Sequence, residues 1–334
     1  MGVDDAQRRG YVECLAAALR TLSTTGREVS FETVYLGGGS PALCDLGPFF
    51  DALRPFLSSE TELTVELHPL DVTSDLLLQL RQGGVNRISM GVQSLDDAIL
   101  HDMGRGYSFD EAEQAFALVK QHFDNAGIDL IVGYPNEKPD LSPRYARLAK
   151  WGLRHCSVYS LILEETSLLT HRLRRQPELA AALPSDDETL DRLSAVAKRL
   201  AEIGLERYEI SNYAVPGFAC RHNMAVWRGE DYLGLGEGAC GRIGLQRTQN
   251  SYFGVSALGW KEPIVETVSS EADEKERLLF RLRTREGLDS STHPEWRKTL
   301  DAFVEQNLLT RSGAVYCLTS RGAEVCDSIL SEII

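Results

Sequence analysis

Six short apolar segments, most of them rich in β-branched residues, recur along the chain, and most of them run into a polar or glycine-containing stretch. This pattern predicts β-strands whose last residues, or tips, carry polar groups. The segments cover residues 33–36, 63–65, 87–90, 128–132, 157–162 and 207–210.

Stretches with helical spacing of apolar residues separate most of these strands. They cover about residues 4–22, 46–57, 73–82, 108–123, 142–151 and 185–203, and several begin after Ser, Thr or Asp. Gly26 is placed to end the first helix. The alternation predicts parallel strands with right-handed crossovers, as in an α/β barrel whose functional face collects the strand tips.

The pattern changes after the sixth strand. Residues 213–268 form a glycine-rich segment, which includes the run 231–242. Two helices at 271–283 and 295–306, a hairpin at 308–319 and a final helix follow, in an order that resembles a winged helix. We expect domains at 1–212, 213–268 and 269–334. The last one is acidic, which favours packing or docking over DNA binding.

Charge and composition exclude several function classes. The 334 residues carry a formal net charge of -14, which argues against nucleic acid as a partner. No apolar run approaches the length of a membrane span, and the first residues contain no basic leader, so we expect a cytoplasmic protein. The seven cysteines include no C-x-x-C pair.

Taken together, the strand tips resemble those of the oxygen-independent coproporphyrinogen III oxidases and, more closely, of their relatives the HemW heme chaperones. Both groups belong to the radical S-adenosylmethionine superfamily. The resemblance extends from about Tyr11 to Ile334, with the elements in the family's order. It implies a partial (β/α)6 TIM-like barrel followed by a winged-helix-like α+β module.

The resemblance implies an S-adenosylmethionine site at the tips. Ser40 stands where the family usually has threonine and keeps the hydroxyl. Taken singly, Glu66, Arg105 or Asp129 would more often be a solvated or salt-bridged residue of the barrel rim than a ligand contact, but their co-occurrence at strand ends favours contact. Core packing alone would explain Ile162 equally well. The matching positions are Gly38, Gly39, Ser40, Glu66, Gln93, Arg105, Asp129 and Ile162.

A second motif, His222-Asn223 with Trp227, resembles the H-N-x-x-Y-W signature of the chaperones, which is associated there with heme. His222 is the expected ligand of the heme iron, because a neutral imidazole is a common axial ligand. Val226 replaces the tyrosine of the signature. Alternatively, His222 and Asn223 could tie this loop to the barrel.

Three further residues near this motif are weaker candidates. Met224 and Cys220 could supply a second heme ligand. Cys240 stands where the chaperones usually have histidine, and packing is its expected role.

The family's C-x-x-x-C-x-x-C motif, which holds a four-iron, four-sulfur cluster, is absent from this sequence. The motif lies on the first barrel strand, so strand 33–36 should be an open edge that favours association unless helix 4–22 covers it. Either the chain is a natural cluster-free homologue, or the sequence begins at an internal methionine. We favour the second explanation, and the reading frame upstream of Met1 would decide it.

The main functional hypothesis is a heme-binding protein that delivers heme to an acceptor protein. The rival is an enzyme that oxidatively decarboxylates coproporphyrinogen III through a 5′-deoxyadenosyl radical, which the missing cluster motif disfavours. A third possibility is a scaffold that docks a partner through the C-terminal module. The sequence leaves enzymatic activity, S-adenosylmethionine binding and oligomeric state open, including a possible dimer.

Overall fold

A computed structural model describes residues 4–24, 28–138, 141–250 and 263–333. Gly26 and residues 251–262 of the glycine-rich segment therefore lie outside the described residues. The strands in this part of the chain are β1 (Thr33–Leu36), β2 (Glu62–Leu67), β3 (Arg87–Gln93), β4 (Ala126–Val132), β5 (His155–Ser160), β6 (Glu206–Arg207), β7 (Asn212–Ala214), β8 (Cys240–Ile243), β9 (Gln246–Gln249), β10 (Ile264–Thr267), β11 (Leu288–Asp289), β12 (Leu309–Ser312) and β13 (Val315–Leu318).

The predicted helices are present, and capping side chains begin several of them, as at Ser108 and Ser185. Three are shorter than expected. In two of them, 3-10 turns at Arg54–Phe56 and Pro294–Trp296 replace helical residues, and the helix predicted at 142–151 ends at Leu148. The helices are α1 (Asp5–Ser23), α2 (Gly47–Leu53), α3 (Ser74–Gln82), α4 (Asp97–Asp102), α5 (Phe109–His122), α6 (Ser142–Leu148), α7 (Leu168–Arg175), α8 (Pro177–Ala181), α9 (Asp186–Glu202), α10 (Arg221–Trp227), α11 (Ser270–Leu282), α12 (Arg297–Glu305), α13 (Ser320–Glu324) and α14 (Cys326–Ile333).

The central sheet has the order β1-β2-β3-β4-β5-β7-β6, and β1 to β5 are parallel neighbours. This confirms the α/β fold class. Successive residues of a strand point to opposite faces of a sheet. Val65, Ile88 and Ile128 are fully buried in the core under the helices. The opposite face, here called the polar face, carries Tyr35, Glu66, Ser89, Asp129 and Ser157.

The sixth predicted strand requires a correction. Only Glu206–Arg207 is strand, and the chain then reverses, so that β7 pairs antiparallel with both β5 and β6. The Glu209 carboxylate stabilises this reversal by accepting hydrogen bonds from the Ser211 amide and the Asn212 side chain. The parallel alternation therefore ends at β5, and an antiparallel strand takes the next place in the sheet.

The β1 edge of the sheet is covered differently from the expectation. Helix α1 packs mainly on α2, and the helix that lies against β1 is α10. Tyr208, which precedes β7, accepts a hydrogen bond from the Cys220 amide at 3.2 Å through its hydroxyl. Because α10 contacts β1 on one side and this segment on the other, it joins the two ends of the sheet.

The C-terminal residues contain the predicted hairpin, β12 with β13, to which β11 adds a third strand. The final helix is split into α13 and α14. A separate apolar core includes Leu282, Leu300 and Tyr316, all fully buried. The domain boundaries at 212/213 and 268/269 stay predictions. Within the described residues, no helix combines the length and apolar character needed to cross a bilayer.

A group of ionic residues connects the β8–β9 hairpin to α11. The carboxylate of Asp273 lies 2.5 Å from a guanidinium nitrogen of both Arg242 and Arg247, and 2.8 Å from Arg277. Glu276 also pairs with Arg242 and Arg247. These five residues, here called the α11 ion cluster, fix the hairpin on the helix.

Candidate functional site

The glycine-rich tip of β1 lies next to Glu66 at the end of β2. The Gly38 amide donates to Glu66 Oε2 at 3.1 Å, and the Tyr35 hydroxyl donates to Oε1 at 2.8 Å. Gly38 and Gly39 have φ angles of +69° and +50°, a conformation that favours glycine. A Cβ atom on Gly37 would lie 2.9 Å from the Glu66 carboxylate, so a larger residue there would have to displace that carboxylate.

Asp129 on β4 completes an acidic pair with Glu66. Its Oδ1 accepts a hydrogen bond from the Ser89 hydroxyl at 3.0 Å. Burial raises the pKa of the Asp129 carboxyl to about 6, and the charge of Glu66 adds to this rise. Hydrogen bonds from Ser157 and Ser89 oppose the rise in pKa without cancelling it. Two carboxylates predicted from separate strand tips thus lie on the polar face, close enough for their charges to interact.

The sequence reasoning missed the basic and aromatic groups on the same side of the sheet. Arg87 is 1% exposed, its charge acts on Asp129 and Tyr35, and its Nε has no hydrogen-bond partner in the described structure. His155 Nε2 lies 2.8 Å from the Tyr208 hydroxyl. Burial and the Arg87 charge lower the pKa of His155, which keeps this imidazole neutral. The period-two alternation of polar and apolar residues in β3 and β5 is the signal that could have found Arg87 and His155.

Three other predicted contacts are placed differently. Gln93 has a φ of 68° and follows an irregularity in the β3–β4 register. The Nε of Arg105 is buried and has no hydrogen-bond partner among the described residues. Ile162 is 77% exposed beyond the end of β5. No hydrogen bond between described residues joins Gln93, Arg105 or Ile162 to the Glu66–Asp129 pair, and Ser40 begins the 3-10 turn after β1 without a capping bond from its side chain.

His222 lies in the first turn of α10, against β1. Its Nδ1 is 3.0 Å from the Thr33 hydroxyl, and its backbone amide donates to Glu62 Oε1 at 3.2 Å. Burial lowers the pKa of the imidazole, while the charge of Glu62 opposes this change. The ring is therefore neutral at neutral pH, and its Nε2 has no hydrogen-bond partner in the part of the chain that the structure describes.

Trp227, at the other end of α10, faces the C-terminal module. Its indole nitrogen donates to Glu209 Oε2 at 3.1 Å, and its ring packs edge-on against Phe280 at a centroid distance of 5.7 Å. Asn223, which follows His222 in the sequence, is half-buried. The structure therefore places His222 and Trp227 in different surroundings, although the motif groups them together.

The weaker heme-ligand candidates have other surroundings. Met224 and Cys220 are buried, and the Cys220 thiol lies 3.6 Å from Glu62 Oε1. Burial raises the pKa of this thiol to about 12, which disfavours the thiolate that would bind a metal. Cys240 is exposed.

Tyr35 connects the two predicted sites. Its ring lies 5.3 Å from the His222 ring, while its hydroxyl binds Glu66. A continuous series of contacts thus leads from the His222 imidazole through Tyr35 and Glu66 to the Gly38 amide.

Comparisons with known proteins identify the family of this chain. Residues 8–142 match the model of the radical SAM superfamily. The chain is 32% identical to the heme chaperone HemW of Mycobacterium tuberculosis over 317 residues, covering 90% of this chain and 80% of that protein. This chain belongs to the HemW family. The HemW of Lactococcus lactis is 29% identical, with 97% of this chain and 89% of the relative covered.

A solved structure shows that the HemW family chain shares its fold with a related enzyme. Coproporphyrinogen III oxidase (HemN) from Escherichia coli, a radical SAM enzyme, superposes with a TM-score of 0.81. The alignment covers 99% of this chain and 85% of the enzyme at 20% identity. At 20% identity, this likeness shows only that the two proteins share a fold.

An iron–sulfur cluster does not fit the cysteines of this HemW family chain. All seven are free and described, and none of them forms part of a metal-binding group, since no group of three or more His, Cys, Asp or Glu side chains suited to a metal exists among the described residues. We therefore derive no cluster chemistry. The acidic pair can accept hydrogen bonds from ammonium or hydroxyl groups, and His222 offers a neutral nitrogen.

Proposed function

We propose that this HemW family protein binds heme and passes it to an acceptor protein. Family membership supports the proposal, and the single observation that carries it is the environment of His222. An imidazole whose Nδ1 is held by Thr33 and whose Nε2 has no partner among the described residues can present that nitrogen to a metal.

The neutral state of His222 favours the same role. An imidazolium has no lone pair for iron, and burial lowers the pKa of this ring. Glu62 holds the backbone amide of His222 and Thr33 holds its Nδ1, so both the helix and the ring are fixed before a ligand arrives. Such fixation reduces the ordering cost of binding.

We propose in addition that the Glu66–Asp129 pocket binds S-adenosylmethionine. The two carboxylates can accept hydrogen bonds from the ammonium group and the ribose hydroxyls of that ligand, and the Gly39 and Ser40 amides can donate to its carboxylate. Gln93, Arg105 and Ile162 are the remaining proposed contacts. When bound, S-adenosylmethionine would supply an adenosyl group on a reactive sulfonium.

A titration with hemin tests the heme proposal. We expect a Soret shift in the wild-type protein, and a loss of affinity of at least tenfold in His222→Ala, which corresponds to about 1.4 kcal/mol. The matched control is His171→Ala, because His171 is an exposed histidine on α7. Equal spectra and affinities for wild type and His222→Ala would refute the assignment of this ligand.

Delivery needs a second measurement. Apomyoglobin, mixed with the heme-loaded protein, serves as a generic acceptor whose own Soret band reports arrival of heme. We expect transfer within minutes. If heme binds through His222 but is not transferred to apomyoglobin, the binding proposal stands and the chaperone role is excluded.

A further inference from the structure

A cavity lies between the turn that precedes β7 and the C-terminal module. Its volume is about 160 Å³. This is too small for heme or a nucleotide, since sites for drug-sized ligands occupy roughly 300 Å³ or more. Its lining includes three arginines and several hydroxyl groups, contributed by Arg207, Tyr208, Arg283, Thr284, Arg285 and Ser320.

The three arginines are only partly neutralised. Arg207 donates its Nε to the Tyr213 hydroxyl at 2.9 Å, and Arg283 donates its Nη2 to Asp327 Oδ1 at 2.6 Å. Nη1 of each has no hydrogen-bond partner in the described parts of the chain. Arg285 has only a distant pairing, with Nη1 3.8 Å from Glu206 Oε2.

One acidic residue, Glu209, stands among the residues that line the cavity. Its carboxylate already accepts hydrogen bonds from the Ser211 amide, the Asn212 side chain and the Trp227 indole. Asp327 beside Arg283 and Glu206 beside Arg285 are two further carboxylates, so the charges of the three guanidinium groups are largely balanced. The cavity nevertheless offers the Nη1 donors of Arg207 and Arg283 beside hydroxyl groups, and such donors favour binding of an anion.

We propose that this cavity binds a small oxyanion, either inorganic phosphate or a carboxylate. Guanidinium groups bind both through paired N–H donors, and hydroxyl groups can complete the coordination of the oxygens. The inference is independent of heme and S-adenosylmethionine, because none of the residues assigned to those ligands lines the cavity.

The position of this oxyanion site gives it a connection to α10. The Tyr208 hydroxyl accepts a hydrogen bond from the Cys220 amide at the start of α10, and the Glu209 carboxylate accepts one from the Trp227 indole at its end. The Arg283 guanidinium also lies over the Trp227 ring at 5.5 Å from its centroid. An anion that recruits Arg283 will therefore change the environment of Trp227, which its fluorescence reports.

Isothermal titration with sodium phosphate and with sodium acetate, at constant ionic strength, tests the site on the full chain. We expect at least one of the two anions to bind, to change Trp227 fluorescence, and to bind at least tenfold more weakly to Arg285→Gln. Arg285 is the preferred variant, because its side chain is 59% exposed and its one ion pair is long, so we expect its loss to leave the fold intact. Arg207→Gln is the second variant.

The control is Arg9→Gln, which removes the same charge from an exposed position on α1. Binding of phosphate without acetate identifies a phosphate ligand, and binding of acetate identifies a carboxylate ligand. The proposal is overturned if neither anion binds the wild type, or if Arg285→Gln and Arg207→Gln bind as tightly as Arg9→Gln.

Discussion

Replacing Asp129 by Asn should stabilise the protein at neutral pH. Desolvation in the fold raises the pKa of this carboxyl from 3.8 to about 6, so keeping it ionised costs folding free energy. At about 1.4 kcal/mol per pKa unit, the cost reaches roughly 3 kcal/mol. This value is an upper bound, because Asp129 is half-buried and water screens part of the interaction.

The sign of the pH dependence follows from proton binding. Between about pH 4 and pH 6 the folded protein holds a proton on Asp129 that the unfolded chain has released, so the stability contributed by this residue falls as pH rises through this range. Asn cannot ionise, and it can still accept the Ser89 hydrogen bond. The free energy of unfolding of Asp129→Asn should therefore exceed that of the wild type above pH 6, and the two should converge near pH 4.

Urea unfolding of wild type and Asp129→Asn at several pH values from 4 to 8 measures this difference. The stability of the wild type must be subtracted from that of the variant at each pH, because burial also raises the pKa of Glu137 and Glu209 in both proteins. Asp191→Asn, an exposed change on α9, is the control and should show no such profile. If Asp129→Asn is less stable than wild type at pH 7, or if the difference does not depend on pH, the reasoning is wrong.

Three further predictions concern the same pocket and the α11 ion cluster. Tyr35→Phe leaves Glu66 without its hydroxyl donor and should cost about 1–3 kcal/mol in urea unfolding; an unchanged stability would contradict this. Gly37→Ala should weaken S-adenosylmethionine binding in calorimetry by displacing Glu66, whereas Gly10→Ala, in open space, should not. Asp273, whose pKa of about 2 is lowered by arginines against the effect of burial, should lose its stabilisation as pH falls from 4 to 2. Asp273→Asn should cost about 3 kcal/mol at pH 7 and remove that acid-dependent loss.

The first five predicted strands were found within one to three residues of their predicted ends, because each is a local run of apolar and β-branched residues. The helices were predictable for the same reason, and local capping residues such as Ser108 and Ser185 mark where two of them begin. Helices α4, α7, α8 and α10 were missed, since their five to eight residues are too few to show a clear helical period.

The candidate site was less accessible to sequence reasoning. Glu66 and Asp129 could be named from their strand tips, but the contact that links them to His222 runs through Tyr35, which looked like an ordinary strand residue. Arg87 shows the same limit, because its burial depends on neighbouring strands and not on its own segment.

The amino-acid sequence alone determined the α/β order, the C-terminal hairpin and the family, because these depend on local periodicity and on motifs of adjacent residues. Only the tertiary structure decided that β7 reverses beside β5, that α10 lies against β1, and which side chains share a pocket. Those outcomes depend on contacts such as that between Thr33 and His222, 189 residues apart, which no local pattern specifies.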